Sequence, residues 1–303
     1  MIKKPSAFFS QHSVEELKQR LSGLLGKCGL YYRIFARSKT DESVSEKIER
    51  KKYSHEEGYL MQDYIGIRIA LYYLDDIDIC KAIICKHFKV VDISVTKHDP
   101  ATFLPERLNI VCEIPEEIIT TIHEDLWRQF PIDQTFEIQI RTIFSEGWHE
   151  IEHDIRYKSE SNWEEYSDLS RNLNGILATL ETCDWSIVAI INDLAYREYK
   201  QKEWSNMVKN KFRIHLQNDK LTDAIKRILD EDSDFAKSLF RCDRKDFILY
   251  LSGMKTRLPL NINNIVYLYN HLYAKNHKIA EITPTVFYKL ISSENVHQVS
   301  MAL

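Results

Sequence analysis

Two groups of residues in this chain could do chemistry. The first is HEIEH at 149–153, an H-E-x-x-H pattern in which His149 and His153 lie one helical turn apart and could share a zinc ion. A zinc protease also needs a third ligand, and the acids that follow (Asp154, Glu164, Glu165) carry no signature that singles one out. A five-residue pattern with three fixed positions arises readily by chance, and histidines among acids find ordinary hydrogen-bond partners. The second group sets carboxylates among cations. Asp63, Gly66 and Arg68 sit in DYIGIRI, Glu137 and Arg141 in EIQIRT. The run YYRIFARSKTDESVSEKIERKK carries Arg33, Arg37, Lys39, Lys47, Arg50 and Lys51. By itself the basic run reads as a solvated face, and a strand carrying a carboxylate and a guanidinium on one side as part of a charged pocket wall. The sequence has no G-x-x-x-x-G-K-[ST] loop, so phosphates would be gripped by side chains rather than by a backbone cradle.

These residues need elements to position them. TFEIQIRT alternates, with Phe136, Ile138 and Ile140 on one face and Glu137, Gln139 and Arg141 on the other. By itself such a pattern also fits an ordinary amphipathic edge strand. YIGIRIALYYL reads as an interior strand, and KCGLYYRIFARSK, FKVVDISV and RLNIVCEI as three more. Arg37 and Lys39 share a strand face, whereas Asp63 and Arg68 have opposite parity. Either Gly66 marks a bulge or Asp63 precedes the strand. Helices are expected over 13–25, capped by Ser13 with Glu16 completing a capping box, over ESVSEKIERKK and over 75–87. Another begins near Ser145, with Trp148, Ile151 and Ile155 as its core stripe and Glu150, His153 and Tyr157 on the adjacent face.

The alternation predicts an α/β or α+β domain with a sheet of about five strands flanked by helices. From about 166 the pattern turns helical, with Leu169, Leu173, Ile176, Leu177 and Leu180 on one stripe. We expect a sheet domain over 1–200, with its core at 30–160, and a mainly helical region over 201–303 of unassigned role. Tyr267, Tyr269 and Tyr273 read as core aromatics there.

Composition narrows the classes. With 44% hydrophobic and 28% charged residues the chain can bury a core and is not largely disordered. A net charge of −4 gives no global nucleic-acid signature, so any anion site must come from local clustering. The six cysteines are scattered without a C-x-x-C pair. No uninterrupted apolar run approaches the ~20 residues of a membrane span, and the N-terminus does not read as a secretory signal. The expectation is a cytoplasmic protein with no membrane partner.

Four stretches, in order, resemble the nucleotide-alarmone synthetase domain of the RelA/SpoT family. They are R-x-K…S…K-I (Arg37, Lys39, Ser43, Lys47), D-x-x-G-I-R-I (Asp63 to Ile69), E-I-Q-I-R-T (Glu137 to Thr142) and W-x-E-I-E-H…Y-K (Trp148 to Lys158). The resemblance implies a nucleotidyltransferase-like mixed sheet. It also implies a Mg²⁺-dependent pyrophosphokinase that moves the β,γ-pyrophosphate of ATP to a nucleotide 3′-hydroxyl. Carried over by position, Asp63 would bind Mg²⁺, and Glu137 would help position the metal and act as general base. Arg37, Lys39 and Lys47 would hold ATP and its phosphates, with Arg68 and Arg141 supporting the charged pocket and Glu150 and His153 lining or bracing it. Arg33 and Lys158 complete the set of phosphate-binding candidates.

The chain departs from the family's pattern upstream of EIQIRT. A G-Y-[QR]-S-x-H segment is expected there, its tyrosine stacking on the acceptor guanine. Here the region reads TFLPERLNIVCEIP, with Pro105 in the tyrosine's place and Asn109 in the histidine's. Proline offers no aromatic face, and Phe103 is the nearby substitute or a loop anchor. The acceptor therefore stays open between GDP or GTP, an adenine nucleotide and, as in toxic relatives, the 3′ end of a tRNA. A nucleotide-binding regulatory module without turnover is a further reading. The family's hydrolase half is not evident, since His98–Asp99 and His153–Asp154 are isolated pairs. An active synthetase would then need a regulatory protein or an antitoxin, and self-association is left open.

Overall fold

In the computed structural model of the chain, residues 4–95, 108–156, 163 and 165–292 are described. The chain divides into two compact units, one formed by 1–23 and 32–185, the other by 24–31 and 186–303. The expected division at 200 coincides with the last residue of a helix, Ser167–Lys200 (α7), that begins in the first unit and ends in the second.

The first unit is built on a five-stranded mixed sheet. Its strands are Tyr32–Ser38 (β1), Ile65–Leu71 (β2), Val90–Val95 (β3), Leu108–Glu113 (β4) and Thr135–Thr142 (β5), in the order β1-β2-β5-β4-β3. Only β2 and β5 run parallel; the other three pairings are antiparallel. TFEIQIRT is thus an interior strand, flanked by β2 and β4, and not an edge.

Helices Gln11–Lys27 (α1), Asp41–Lys51 (α2), Asp76–His87 (α3), Glu116–Ile119 (α4), Asp125–Gln129 (α5) and Ile143–Ile151 (α6) complete the unit up to α7. The apolar face of β5 (Phe136, Ile138, Ile140) is at most 1% exposed, and Phe88, just after α3, meets Phe136 edge-on at 5.5 Å. Val14, Leu17 and Leu21 of α1 follow the i, i+3, i+7 rule and are buried. This helix starts at Gln11, so Ser13 is not its cap. The Ser13 hydroxyl is buried within the first turn, 3.1 Å from that of Thr121.

Two expected stripes fail. Ile151 and Ile155 are 52% and 53% exposed, while the buried face of α6 carries Trp148 and His149. The helix widens to a π turn over Glu152–Arg156, so α-helical spacing no longer predicts direction there. On α7, Leu177 is buried but Leu169 and Ile176 are about half exposed. By length and composition alone α7 could cross a membrane, an outcome hidden from a search for unbroken apolar runs because Asp184 and Asn192 interrupt it.

The second unit is helical, with a core including Met207, Phe212, Ile225, Leu239, Phe247, Leu251 and Val266. The segment 24–31 joins it through Gly29. His215 N–H donates to the Gly29 carbonyl (2.7 Å), and at φ +72° a Cβ would lie 2.8 Å from Leu260 Cδ1. Tyr267 and Tyr269 are buried, but Tyr273 is 49% exposed because the helix again ends in a π turn, Asn270–Ala274.

Candidate functional site

Strand register aligns side chains from four strands in rows across one face of the sheet. Arg37, Gly66, Glu137 and Val111 form one row, and Phe35, Arg68, Gln139 and Asn109 the next. Arg33, Ala70 and Arg141 form a third. The pairings pass through Gly66 in unbroken register, so there is no bulge there. Asp63 instead lies two residues before β2, which resolves its parity with Arg68. Its neighbour Tyr64 is buried edge-on against Phe9 at 5.1 Å and its carbonyl accepts from Lys39 N–H at 2.9 Å. This backbone contact brings the end of β1 alongside Asp63.

Over these rows lies a cavity of about 410 Å³, lined by residues that include Arg37, Lys39, Asp63, Gly66, Arg68, Glu137, Gln139, Glu146 and Glu150. That volume suits a small-molecule site. A Cβ built on Gly66 meets nothing within 4 Å, so glycine keeps the floor open between Arg37 and Glu137.

At one end, Asp63 Oδ2 accepts from Lys47 Nζ at 2.5 Å and from Lys39 Nζ at 3.2 Å. Lys47 is presented by α2, whose start is set by Thr40 accepting from Ser43 N–H. Burial pushes the Asp63 carboxyl up, but the Lys47 hydrogen bond and the two ammonium charges outweigh it and hold the group below the usual carboxylate range. The other oxygen, Oδ1, is buried and has no hydrogen-bond partner among the described residues.

At the other end a charge network fixes the β5 side chains. Gln139 donates to Glu137 (2.8 Å), while its carbonyl accepts from Arg68 Nε and Arg141 Nη2, each at 3.2 Å. Glu146 pairs with Arg68 at 3.1 Å and with Arg141 at 2.8 Å; Glu150 also pairs with Arg68. Thr142 holds this corner. Its hydroxyl accepts from Ser145 N–H (3.1 Å), capping α6, and donates to Asp184 Oδ2 on α7 (2.7 Å). Burial pushes the Asp184 carboxyl up, opposed by the Thr142 hydrogen bond.

The candidates separate accordingly. Arg37, Lys39, Asp63, Arg68, Glu137 and Glu150 line the cavity. Lys47 and Arg141 reach it through Asp63 and Glu146. Arg33 lies away from the lining, over the Tyr72 ring at 5.6 Å, and His153 pairs with Asp154 at 3.1 Å on the surface. Lys158, Tyr157, Phe103 and Pro105 fall outside the described residues. Phe35, Glu146 and Asp184 escaped the sequence reading. Glu146 sits four residues before Glu150, a spacing that could have found it, and Asp184 is a carboxylate inside an apolar helical pattern.

Mg²⁺ takes oxygen ligands, commonly one or two carboxylates completed by substrate phosphates and water. Asp63 and Glu137 line the same cavity, and the buried, unpartnered Oδ1 of Asp63 is an oxygen such an ion would satisfy, so the residues fit. Zinc is a poorer match. His149 is buried on α6 while His153, on the π turn, has its side chain about half exposed, and the described residues contain no group of three or more potential metal ligands.

Residues 36–162 match the model of the region found in RelA / SpoT proteins. The chain is also 31% identical over 165 residues to the GTP pyrophosphokinase YjbM of Bacillus subtilis (strain 168), covering 50% of this chain and 72% of that protein. The chain belongs to the RelA/SpoT family. Among solved structures, the small alarmone synthetase 1 from Bacillus subtilis is 27% identical, with 61% of this chain and 93% of that chain covered and a TM-score of 0.49. The same protein bound to its product pppGpp covers 59% of this chain and 91% of that one, at 27% identity and a TM-score of 0.47. The RelA/SpoT match spans every cavity-lining residue except Phe35, which lies one position before it, and stops short of Asp184.

Proposed function

We propose that this chain is a Mg²⁺-dependent pyrophosphokinase that transfers the β,γ-pyrophosphate of ATP to the 3′-hydroxyl of an acceptor nucleotide. The observation that carries the reading is the meeting of Asp63 and Glu137 in one cavity with Lys39, Lys47 and Arg37. Two carboxylates with three cations beside them suit a metal-bound polyphosphate.

When bound, Mg²⁺ would be held by Asp63 and Glu137 and would polarise phosphate oxygens. Lys39, Lys47 and Arg37 would neutralise the phosphate chain; among the described residues Arg37 forms no ion pair, which leaves its guanidinium for an anion. Glu137, held by Gln139, would take the proton of the 3′-hydroxyl. The new bond joins that oxygen to the β-phosphorus, the bond from the β-phosphorus to the α-bridging oxygen breaks, and AMP leaves.

The acceptor follows from the family less directly, because the guanine-stacking tyrosine is replaced by Pro105. YjbM's name makes GTP the first candidate, with GDP, adenine nucleotides and the tRNA 3′ end beside it. Incubation with γ-labelled ATP and Mg²⁺ against each of these tests the reading. Label should move to one acceptor class. ATP that binds but never transfers its label would leave a nucleotide-binding module instead.

A further inference from the structure

Of the aromatics lining the cavity, Tyr64 is 1% exposed and spent on packing, whereas Phe35 is 54% exposed. A phenyl ring left half in water inside a charged cavity keeps about half of its surface free to meet a ligand there. Its register partner across the sheet is Arg68, whose guanidinium is fixed by Gln139, Glu146 and Glu150. An aromatic ring and an immobilised planar guanidinium side by side are the two side-chain types that stack best on a flat heterocycle. The cations for phosphate, Lys39 and Lys47, gather at Asp63, at the far end of the lining. From Lys39 to Phe35 is four residues of extended chain, roughly 13 Å at about 3.4 Å per residue. A nucleoside triphosphate with its phosphates at Lys39 would therefore bring its base to Phe35.

We propose that Phe35 is a base-recognition residue of the donor site, its ring stacking on the donor purine beside Arg68. Donor affinity is then shared between the cations, which hold the phosphates of any polyphosphate, and a ring that holds only a base. The larger face of a purine makes it a better partner than a pyrimidine, so Phe35 also contributes to selecting ATP over CTP or UTP. This inference rests on the donor-site reading above.

Calorimetric titration with Mg²⁺ and two probes, a non-hydrolysable ATP analogue and inorganic tripolyphosphate, separates the two. Base–aromatic stacking of about 1–3 kcal/mol converts to roughly 5- to 150-fold in affinity. Phe35→Leu should weaken the ATP analogue by that factor and leave tripolyphosphate within about twofold, while Phe35→Trp keeps the analogue tight. Unchanged analogue affinity in Phe35→Leu overturns the proposal, as does equal weakening of both probes, which would mean a disturbed cavity instead of a lost stacking face. If the wild-type chain binds neither probe, the donor-site reading fails and this inference falls with it.

Discussion

Replacing Thr142 by valine should loosen the corner that joins β5 to α6. The single hydroxyl serves in both directions, accepting from Ser145 N–H at 3.1 Å and donating to Asp184 Oδ2 at 2.7 Å. Losing the N-cap costs about 1 kcal/mol. Leaving the buried Asp184 carboxylate without its donor adds about 1–3 kcal/mol, since a buried polar group that loses its partner keeps its desolvation penalty. The sum, about 2–4 kcal/mol, corresponds to roughly 30- to 1000-fold faster exchange if those amides exchange through opening of this corner. Hydrogen exchange read on peptides covering 135–151 isolates this region from the second unit. Thr142→Ser keeps both bonds and should stay near wild type. Asp184→Asn keeps an acceptor and removes a carboxyl whose native pKa is raised by burial. A raised acid binds more protons folded than unfolded, so its contribution to stability falls as pH rises from the ordinary carboxylate range through the native value. The Asn variant should lose that slope. Thr142→Val exchanging within about threefold of wild type would rule out this double role of the hydroxyl, because even the cap alone predicts more.

Asp63 should show the opposite slope. Its pKa is held low in the fold, so its stabilising contribution is complete above the ordinary carboxylate range and is lost as pH falls through the depressed native value. Lys47→Met removes the closest partner, leaves burial opposed by Lys39 alone, and should flatten this acid-side loss in urea titrations across pH 3–6. His153→Ala, on a side chain about half exposed and paired with the neighbouring Asp154, should change stability by no more than about 0.5 kcal/mol. Elemental analysis of the purified wild-type protein should find no stoichiometric zinc; a bound equivalent lost in His149→Ala would revive the metalloprotease pattern.

Much of the sheet domain was legible because period-two alternation survives in β5 and because β2 reads as an apolar interior run. Local pattern placed Glu137, Gln139 and Arg141 on one face, and the burial of Phe136, Ile138 and Ile140 agrees. Which strands neighbour β5 was not legible, since the order β1-β2-β5-β4-β3 depends on pairings distant in sequence. That is why Phe35 went unnoticed. Its meaning comes from standing beside Arg68, whose own position depends on Glu146 and Glu150 from a later helix. Ile155 misled for a local reason: spacing arguments assume 3.6 residues per turn, and the chain leaves that geometry at Glu152; the exposure of Ile151, still within α6, has no such explanation. Asp184 lay hidden in the apolar pattern of α7, where only its contact with Thr142 explains a buried acid.

Asp63 and Glu137 serve, in this proposal, the transfer of pyrophosphate to a hydroxyl. Its most direct measurement is the fate of ATP in the presence of Mg²⁺ and the acceptor that the panel identifies, followed by phosphorus NMR for AMP and a 3′-linked pyrophosphate. Wild type should yield the two in equal amounts. Glu137→Gln should lose about 10²–10⁴ in rate with ATP affinity retained. Release of ADP and free phosphate instead of AMP, or a Glu137→Gln variant as fast as wild type, would contradict the proposal.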